Sequence, residues 1–148
     1  MAHMEKPEKI RIGWRERVDL PDWEILDLDA KMDTGARTCS LDVEEIEELP
    51  GGRIAFYVVL DRASPQNIRV VSQVTKRGQV RSSSGESSAR YFVKTILRIG
   101  EVEKEVEVSL LERAKMNYRM LVGRSALRGD FLVDAGRTNL LRKRKIKG

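Results

Sequence analysis

Short stretches in which apolar and polar residues alternate recur along this chain, and no long stretch spaces its apolar residues as a helix does. Alternation at every second residue is typical of strands that bury one face, and many of these apolar residues are β-branched. The stretches are 9–14, 24–32, 38–43, 54–60, 68–74, 91–99, 102–110, 120–123 and 131–133, with one helical turn predicted at 124–128. The pattern therefore predicts an all-β, closed barrel of short strands with a short C-terminal helix.

A length of 148 residues suits one domain with short extensions. Residues 1–8 are interpreted as a tag and linker, because the start Met-Ala-His-Met resembles a cloning scar. Residues 9–141 are predicted to form the domain, and residues 142–148 a basic tail. The last nine residues carry five positive charges. This tail is either a solvated terminus or a contact for nucleic acid or the ribosome.

Two segments between the predicted strands are strongly charged. The acidic stretch Glu44 to Glu48 is predicted to be a surface excursion that ends in the turn Pro50-Gly51-Gly52. Residues 62–100 carry eight basic residues against one acid, and the Ser-, Gly- and Arg-rich part at 77–90 is predicted to be a mobile hairpin or loop. A basic segment inside the domain suggests a surface that faces an anionic partner.

Several classes of protein are excluded or disfavoured by composition. No run of about eighteen apolar residues is present, so we expect no membrane association, and no secretory leader is recognisable. The single cysteine, Cys39, excludes an intramolecular disulfide. The only histidine, His3, lies in the predicted tag, and no H-E-x-x-H or phosphate-binding loop occurs. We therefore predict a cytoplasmic protein with no cofactor, neither zinc nor ATP.

The most informative motif is Asp33-Thr34-Gly35-Ala36, which directly follows an apolar strand. Some ninety residues later the chain reads Leu121-Val122-Gly123-Arg124. This pairing resembles the retropepsins, half-sized aspartic peptidases in which D-T-G-A begins the catalytic loop and an apolar-apolar-Gly-Arg unit supports it. In that fold the glycine must lack a side chain because it passes close to the loop. The alternative for Asp33 to Gly35 is a simple turn between strands.

The resemblance extends over roughly residues 11–142. The segments IGWRERVDLPDW, AKMDTGARTCSLDV, VRSSSGESSARY and RMLVGRSALRGDFLVDAGRTNLL resemble a bacterial family long named ATP-dependent zinc proteases. That RimB-type family is now regarded as retropepsin-like and is linked to RimK-type glutamate ligases that act on ribosomal protein tails. The resemblance implies an aspartic-type endopeptidase that does not depend on a metal.

One carboxylate per chain is insufficient for this chemistry, because an acid and a base are both required. Two adjacent carboxylates share one proton, since both cannot ionise at that distance. The single D-T-G therefore predicts a twofold homodimer that brings Asp33 beside Asp33 of the partner subunit. The C-terminal strand near residues 131–133 is a candidate for the interface.

The resemblance also assigns residues to the site. Asp33, Thr34 and Gly35 are the catalytic set; Ala36, Arg37, Thr38, Arg77, Arg81, Ser83, Gly85 and Arg90 are the substrate-binding set; Leu121, Val122, Gly123 and Arg124 support the loop. Retroviral relatives carry acidic residues where this chain has Arg37 and Thr38, which favours an anionic substrate. The alternative is that Arg37 pairs with a structural carboxylate such as Asp42.

The basic segment at 77–90 occupies the place of the retropepsin flap, which covers the substrate. Its arginines and serines suit the binding of repeated carboxylates, whereas a flexible basic linker is the plainer interpretation. Cys39 is expected to line the core, because no histidine is available to activate it.

Three functions are considered, one of which is a degenerate retropepsin-like dimer with a binding role. The leading one is a homodimeric peptidase that cleaves acidic, glutamate-rich or oligoglutamate substrates, including polyglutamylated proteins. The alternative is a non-catalytic basic β-barrel that binds RNA or the ribosome, although only 5% of residues are aromatic and single-stranded RNA is usually bound by aromatic stacking.

Overall fold

The computed structural model describes residues 8–61, 66–81, 85, 87–112 and 116–142. Within these residues nine strands form one sheet: β1 (Ile10–Leu20), β2 (Ile25–Asp33), β3 (Cys39–Leu49), β4 (Arg53–Asp61), β5 (Gln66–Arg81), β6 (Ser87–Ile99), β7 (Val102–Glu112), β8 (Met120–Gly123) and β9 (Phe131–Thr138). A 3-10 turn at Pro21–Trp23 joins β1 to β2, and one helical turn, α1 (Arg124–Leu127), follows β8. The predicted all-β class with one short helix is confirmed.

The sheet folds back on itself at two places. Its strand order is β4-β5-β6-β7-β3-β8-β2-β1-β9, and the additional pairings β3–β4 and β1–β6 close two linked rings of strands. β8 lies in the order between β2 and β3, although it is distant from both in sequence. This position brings the second predicted motif beside the first.

The core is built from the alternate residues that the sequence pattern picked out. In β2, Leu28, Ala30 and Met32 are all buried while the intervening Lys31 is exposed. In β3, Cys39, Leu41 and Val43 are likewise buried, and so is the intervening Asp42. Both strands pair with β8, which places the end of β2 inside the sheet and not at its edge.

The acidic stretch Glu44 to Glu48 is not the surface excursion that was predicted, since it forms the second half of β3. Glu44 pairs with Tyr57 and Glu47 with Ala55 of β4, and the register shifts between the two pairs. Pairing with β4 thus provides backbone hydrogen bonds for this stretch, while the side chains of its four glutamates remain exposed. Pairing with β4, the strand that follows the turn at 50–52, decides this element, and local composition does not reveal it.

Four other strands are clearly longer than the sequence indicates. β1 continues to Leu20 and β9 continues to Thr138. The segment at 77–90, predicted to be a mobile hairpin or loop, is largely the two arms of a hairpin, because β5 runs to Arg81 and β6 begins at Ser87. Most of its tip lies outside the described residues. The turn at 50–52 is confirmed.

The described chain ends in a segment that is held against β1, which we call the C-terminal strap (residues 139–142). The N–H groups of Leu140 and Leu141 donate to the buried Glu16 carboxylate, and Arg142 pairs with Asp19 and Asp27. The predicted tag and the rest of the predicted tail, residues 1–7 and 143–148, lie outside the described residues. No helix in the described part of the chain has the length and apolar character needed to span a membrane.

Candidate active site

Asp33 is the last residue of β2, and a loop of residues 33–38, the Asp33 loop, leads from it to β3. β8 runs parallel to the end of β2, with Asp33 opposite Gly123. On its other side β8 runs antiparallel to β3, with Ser40 opposite Leu121. The chain must therefore pass from β2 to β3 across the end of β8, so the two sequence motifs meet at this point.

Gly123 is where the Asp33 loop crosses β8. A Cβ atom on Gly123 would lie 2.4 Å from the carbonyl oxygen of Thr38 and 2.9 Å from the carbonyl carbon of Arg37. No real side chain approaches backbone atoms so closely. The close approach expected of this glycine is confirmed.

The Asp33 carboxylate caps its own loop. The Oδ1 atom of Asp33 accepts a hydrogen bond of 3.0 Å from the Gly35 N–H. The backbone carbonyl oxygen of Asp33 accepts one of 3.2 Å from the Ala36 N–H. The Oδ2 atom receives no hydrogen bond from the described residues. Asp33 is half-buried while Thr34 and Gly35 are exposed, so the carboxylate is fixed by the backbone with one oxygen directed away from that turn.

α1 supports the other side of the Asp33 loop. The Arg124 N–H donates to the Ala36 carbonyl at 2.8 Å, and the Ser125 N–H donates to the Arg37 carbonyl at 3.0 Å. The Arg124 guanidinium donates to the Gly35 carbonyl at 3.1 Å. Arg124 thus holds the loop through its backbone carbonyls.

Comparison with protein families agrees with this geometry. Residues 11–144 match the RimB-like family, described as the retropepsin-like aspartic endopeptidase RimB. The match takes in both motifs and nearly the whole domain. The chain belongs to the RimB-like family.

Similar curated proteins place this type of domain inside longer chains. The chain is 36% identical over 132 residues to a probable alpha-L-glutamate ligase of Shewanella pealeana and 34% identical over 131 residues to one of Parasynechococcus marenigrum. These matches cover 85% of this chain and only 28% of each ligase. The chain therefore spans just over a quarter of the length of these relatives.

A solved structure shows the same fold. The crystal structure of a Legionella pneumophila protein of unknown function superimposes with a TM-score of 0.74 at 24% sequence identity. The match covers 91% of this chain and all of that chain. At this identity the likeness concerns the fold alone.

The older name of the RimB-like family, ATP-dependent zinc protease, is not confirmed. The description of the matched family names neither zinc nor ATP. Among the residues that the structure describes, no three His, Cys, Asp or Glu side chains are grouped closely enough to hold a metal ion. Independence from a metal stays a prediction.

Arg37 lies on an open groove of about 500 Å³ beside the Asp33 loop. It is exposed and forms no ion pair with the described residues. Asp42, the alternative partner considered for it, is buried and pairs with Arg119 at 2.6 Å, with both side chains 5% exposed. The groove is lined by Arg37, Thr38, Lys76, Phe92, Glu105, Val106, Glu107 and Ser125.

The hairpin places its predicted substrate-binding residues differently. Arg77 pairs with Glu48 at 3.2 Å and lies over the Tyr91 ring, whose hydroxyl also donates to Glu48. Partial burial and then the Glu48 carboxylate raise the pKa of Tyr91. Arg77 is thus engaged within the chain, away from the groove.

The other predicted residues of the hairpin are described to different extents. Arg90 is half-buried and pairs through its backbone with Gly78. Arg81 ends β5, and nothing is described of its side chain. Gly85 is exposed with a φ of 87°, a conformation that suits glycine. Ser83 lies outside the described residues.

Sequence reasoning missed a second aspartate–glycine motif with the same local hydrogen bond, which lies within β9. Gly136 N–H donates to Asp134 Oδ1 at 2.9 Å, and Asp134 is paired across strands with Gly13. A Cβ atom on Gly13 would lie 2.4 Å from the Arg137 carbonyl oxygen. The sequence signal was V-D-A-G at 133–136, which repeats M-D-T-G at 32–35.

Asp134 nevertheless differs from Asp33 in its partners. Its carboxylate also forms an ion pair with Arg11. The Gly136 N–H and then the Arg11 guanidinium hold the pKa of Asp134 below its ordinary value of 3.8. A carboxylate that is occupied in this way has a structural role within β9.

Cys39 lines the core as expected. It is fully buried, and burial raises the pKa of its thiol to about 11. A thiol that stays protonated at neutral pH is a poor nucleophile.

Proposed function

We propose that this chain is an aspartic endopeptidase that works as a twofold homodimer. The observation that carries the proposal is the Asp33 carboxylate, fixed by the Gly35 N–H on a loop that is locked to β8 and α1. Membership of the RimB-like family supports the same reaction class. The matching carboxylate would come from Asp33 of the partner subunit.

The reaction would use the two carboxylates in different protonation states. The ionised carboxylate takes a proton from a water molecule, whose oxygen attacks the carbon of the scissile amide. The protonated carboxylate donates a hydrogen bond to the carbonyl oxygen and stabilises the charge that develops there. Proton transfer to the amide nitrogen then releases the amine product. No covalent bond forms between the enzyme and the substrate.

The substrate is proposed to be an acidic peptide, rich in glutamate, such as an oligoglutamate tail on a protein. Two features support an anionic ligand. Arg37 is exposed within the Asp33 loop, and the segment at 62–100 is strongly basic. Arg81 and Arg90 are proposed to contribute from the hairpin. The shared domain in proteins named probable alpha-L-glutamate ligases supports glutamate chemistry.

We place the reaction in the cytoplasm, where a lone thiol such as Cys39 stays reduced, and association with the ribosome would suit the basic tail. Binding of RNA is less well supported. The two hairpin rings, Tyr91 and Phe92, each lie under a cation of the chain and belong to opposite faces of the hairpin. They therefore do not form a continuous stacking platform.

The decisive variant is Asp33→Asn. An amide cannot hold the shared proton as a carboxylate does, so hydrolysis of an oligoglutamate peptide should fall by about 10²- to 10⁴-fold. Peptide turnover followed by chromatography, with circular dichroism to check the fold, measures this. Full turnover by purified Asp33→Asn protein would remove Asp33 from the reaction.

The same assay separates the remaining parts of the proposal. A chelator should leave turnover unchanged, whereas loss that zinc restores would reinstate a metal site. Oligoglutamate should be cleaved faster than an uncharged peptide of equal length, and added salt should reduce the difference. Equal cleavage of both peptides at every salt concentration contradicts the acidic substrate.

A further inference from the structure

We propose that Lys76 and Phe92 of the hairpin, together with Arg37, form a subsite that binds one carboxylate side chain of the substrate. The inference rests on the proposed function and deepens it. It assigns the binding of a substrate carboxylate to Lys76, whereas the sequence analysis assigned it to the neighbouring Arg77. Two cations that reach one groove from different parts of the chain carry the argument.

A β-bulge decides which face of the hairpin Lys76 occupies. Val74 is paired with the buried Val93, but the next pairs are Lys76 with Phe92 and Arg77 with Tyr91. Opposed residues of an antiparallel pair share a face, so the bulge moves Lys76 to the face opposite Val74. The Thr75 hydroxyl donates to the Phe92 carbonyl at 3.1 Å and secures this register.

On that face Lys76 borders the groove, which Glu105 and Glu107 also line. Its ammonium lies 5.1 Å from the centre of the Phe92 ring, which holds the side chain by a cation–π contact. Lys76 forms no ion pair within the described part of the chain. Arg77, one residue further, turns to the other face and pairs with Glu48.

Arg37 joins the same groove from the Asp33 loop. A guanidinium and an ammonium on one groove provide charge-assisted donors for a carboxylate, and the Thr38 and Ser125 hydroxyls line the same space. A volume of about 500 Å³ accommodates one long side chain with part of its backbone. Because Arg37 follows Asp33 by four residues, the bound side chain would lie at a set distance from the scissile bond.

The acidic residues of β7 limit what the groove accepts. Glu105 and Glu107 also line it, and they repel a second carboxylate that approaches from that side. Side chains of an extended peptide alternate between its two faces, so only one residue would enter the groove. The subsite is therefore selective for a single acidic side chain at one position of the substrate.

The test uses binding without catalysis. Fluorescein-labelled hexaglutamate is titrated into Asp33→Asn protein and into the same protein carrying Lys76→Met, at low salt, and fluorescence anisotropy reports Kd. Loss of a charge-assisted contact should weaken binding about tenfold, while Lys76→Arg should retain most of the affinity. The matched control is Lys94→Met, which removes an exposed lysine outside the groove lining and should change Kd less than about twofold.

A further variant, Glu105→Gln, tests the acidic side of the groove. Because it removes a negative charge that repels the peptide, it should strengthen binding by up to about fivefold. Equal losses for Lys76→Met and Lys94→Met indicate only general attraction and overturn the subsite, as does an unchanged Kd for Lys76→Met.

Turnover of the protein with Asp33 intact is measured separately. Cleavage that needs Asp33 but is indifferent to Lys76 defeats this inference alone. Binding that depends on Lys76 without any cleavage defeats the proposed function alone.

Discussion

Gly123 shows how one residue can determine whether the Asp33 loop forms. Gly123→Ala places a methyl group 2.4 Å from the Thr38 carbonyl oxygen and 2.9 Å from the Arg37 carbonyl carbon. These are backbone atoms of a loop that is hydrogen-bonded to α1, so they cannot move aside cheaply. Overpacking of this kind should cost about 3 kcal/mol of unfolding free energy. Urea denaturation followed by circular dichroism measures the loss.

The matched control for that substitution is Gly78→Ala. A Cβ atom there would meet only Phe92, at an ordinary distance of 3.7 Å. The change should stay within about 1 kcal/mol. Similar losses at both positions would show that the tight crossing at Gly123 is not what sets the cost.

Asp134 accepts the same local hydrogen bond as Asp33 but has a structural role, which the pH dependence of stability tests. Its folded pKa is lowered, so its ionised form stabilises the protein above the ordinary carboxyl value of 3.8, and this stabilisation is lost as pH falls through the lower folded value. Asp134→Asn should therefore melt at a lower temperature than wild type at pH 7, and the gap should close in strong acid. Thermal melts between pH 7 and pH 2 test this.

Turnover provides the second readout for Asp134. The Asp134→Asn protein should still hydrolyse the peptide, because its carboxylate is engaged by Arg11 and Gly136. The control Asp22→Asn removes an exposed acid, so its melting temperature should differ only slightly from that of wild type at every pH. A constant gap for Asp134→Asn down to pH 2 would contradict the role given to its ionised form.

Among the elements, the C-terminal strap depends on one buried acid. Glu16 is fully buried, and its carboxylate accepts N–H groups from Gly13 at 2.6 Å, Leu140 at 2.9 Å and Leu141 at 3.3 Å. Glu16→Gln turns an amide NH2 toward some of these donors, so buried hydrogen bonds are lost at a cost of roughly 2–3 kcal/mol. Urea denaturation measures the total.

Hydrogen exchange locates this loss in the strap. The amides of Leu140 and Leu141 should exchange faster in Glu16→Gln, because their acceptor is weakened. Glu101→Gln, in an exposed turn, should leave both the stability and these amides unchanged. Unchanged exchange at Leu140 and Leu141 would mean that Glu16 does not hold the strap.

For the whole molecule the main prediction is the twofold dimer. Each chain has a single D-T-G, and β9 lies at one end of the strand order with Leu132 56% exposed. If every active site needs Asp33 from both subunits, mixing wild type with Asp33→Asn protein after subunit exchange should reduce activity with the square of the wild-type fraction. Peptide turnover at constant total protein measures this curve.

Sedimentation of the same mixtures gives the oligomeric state. A monomeric enzyme predicts activity that falls linearly with the wild-type fraction. Leu132→Glu should weaken association through β9 and lower specific activity on dilution, while Leu26→Glu, at a residue that is also highly exposed, should not. A linear curve with full activity in a purely monomeric sample would exclude the shared site.

Local sequence was sufficient for the elements whose two faces differ in polarity. The alternation of Leu28, Ala30 and Met32 predicted a strand with that face buried, and it is buried. The meeting of the motifs around Asp33 and Gly123 followed instead from the resemblance to the retropepsins, and the backbone crossing at Gly123 agrees with it. The strand pattern lies in neighbouring residues, so periodicity reveals it.

Tertiary structure alone decided which charged residues meet. Strict alternation would put Lys76 on the face of Val74, but a bulge set by pairing with β6 turns it toward the groove. The acidic half of β3 forms a strand because β4 pairs with it. The ion pair of Asp42 is with Arg119 and not with Arg37. Register and ion pairing depend on the segment that lies opposite and not on the local pattern, so they are decided only when the strands pair.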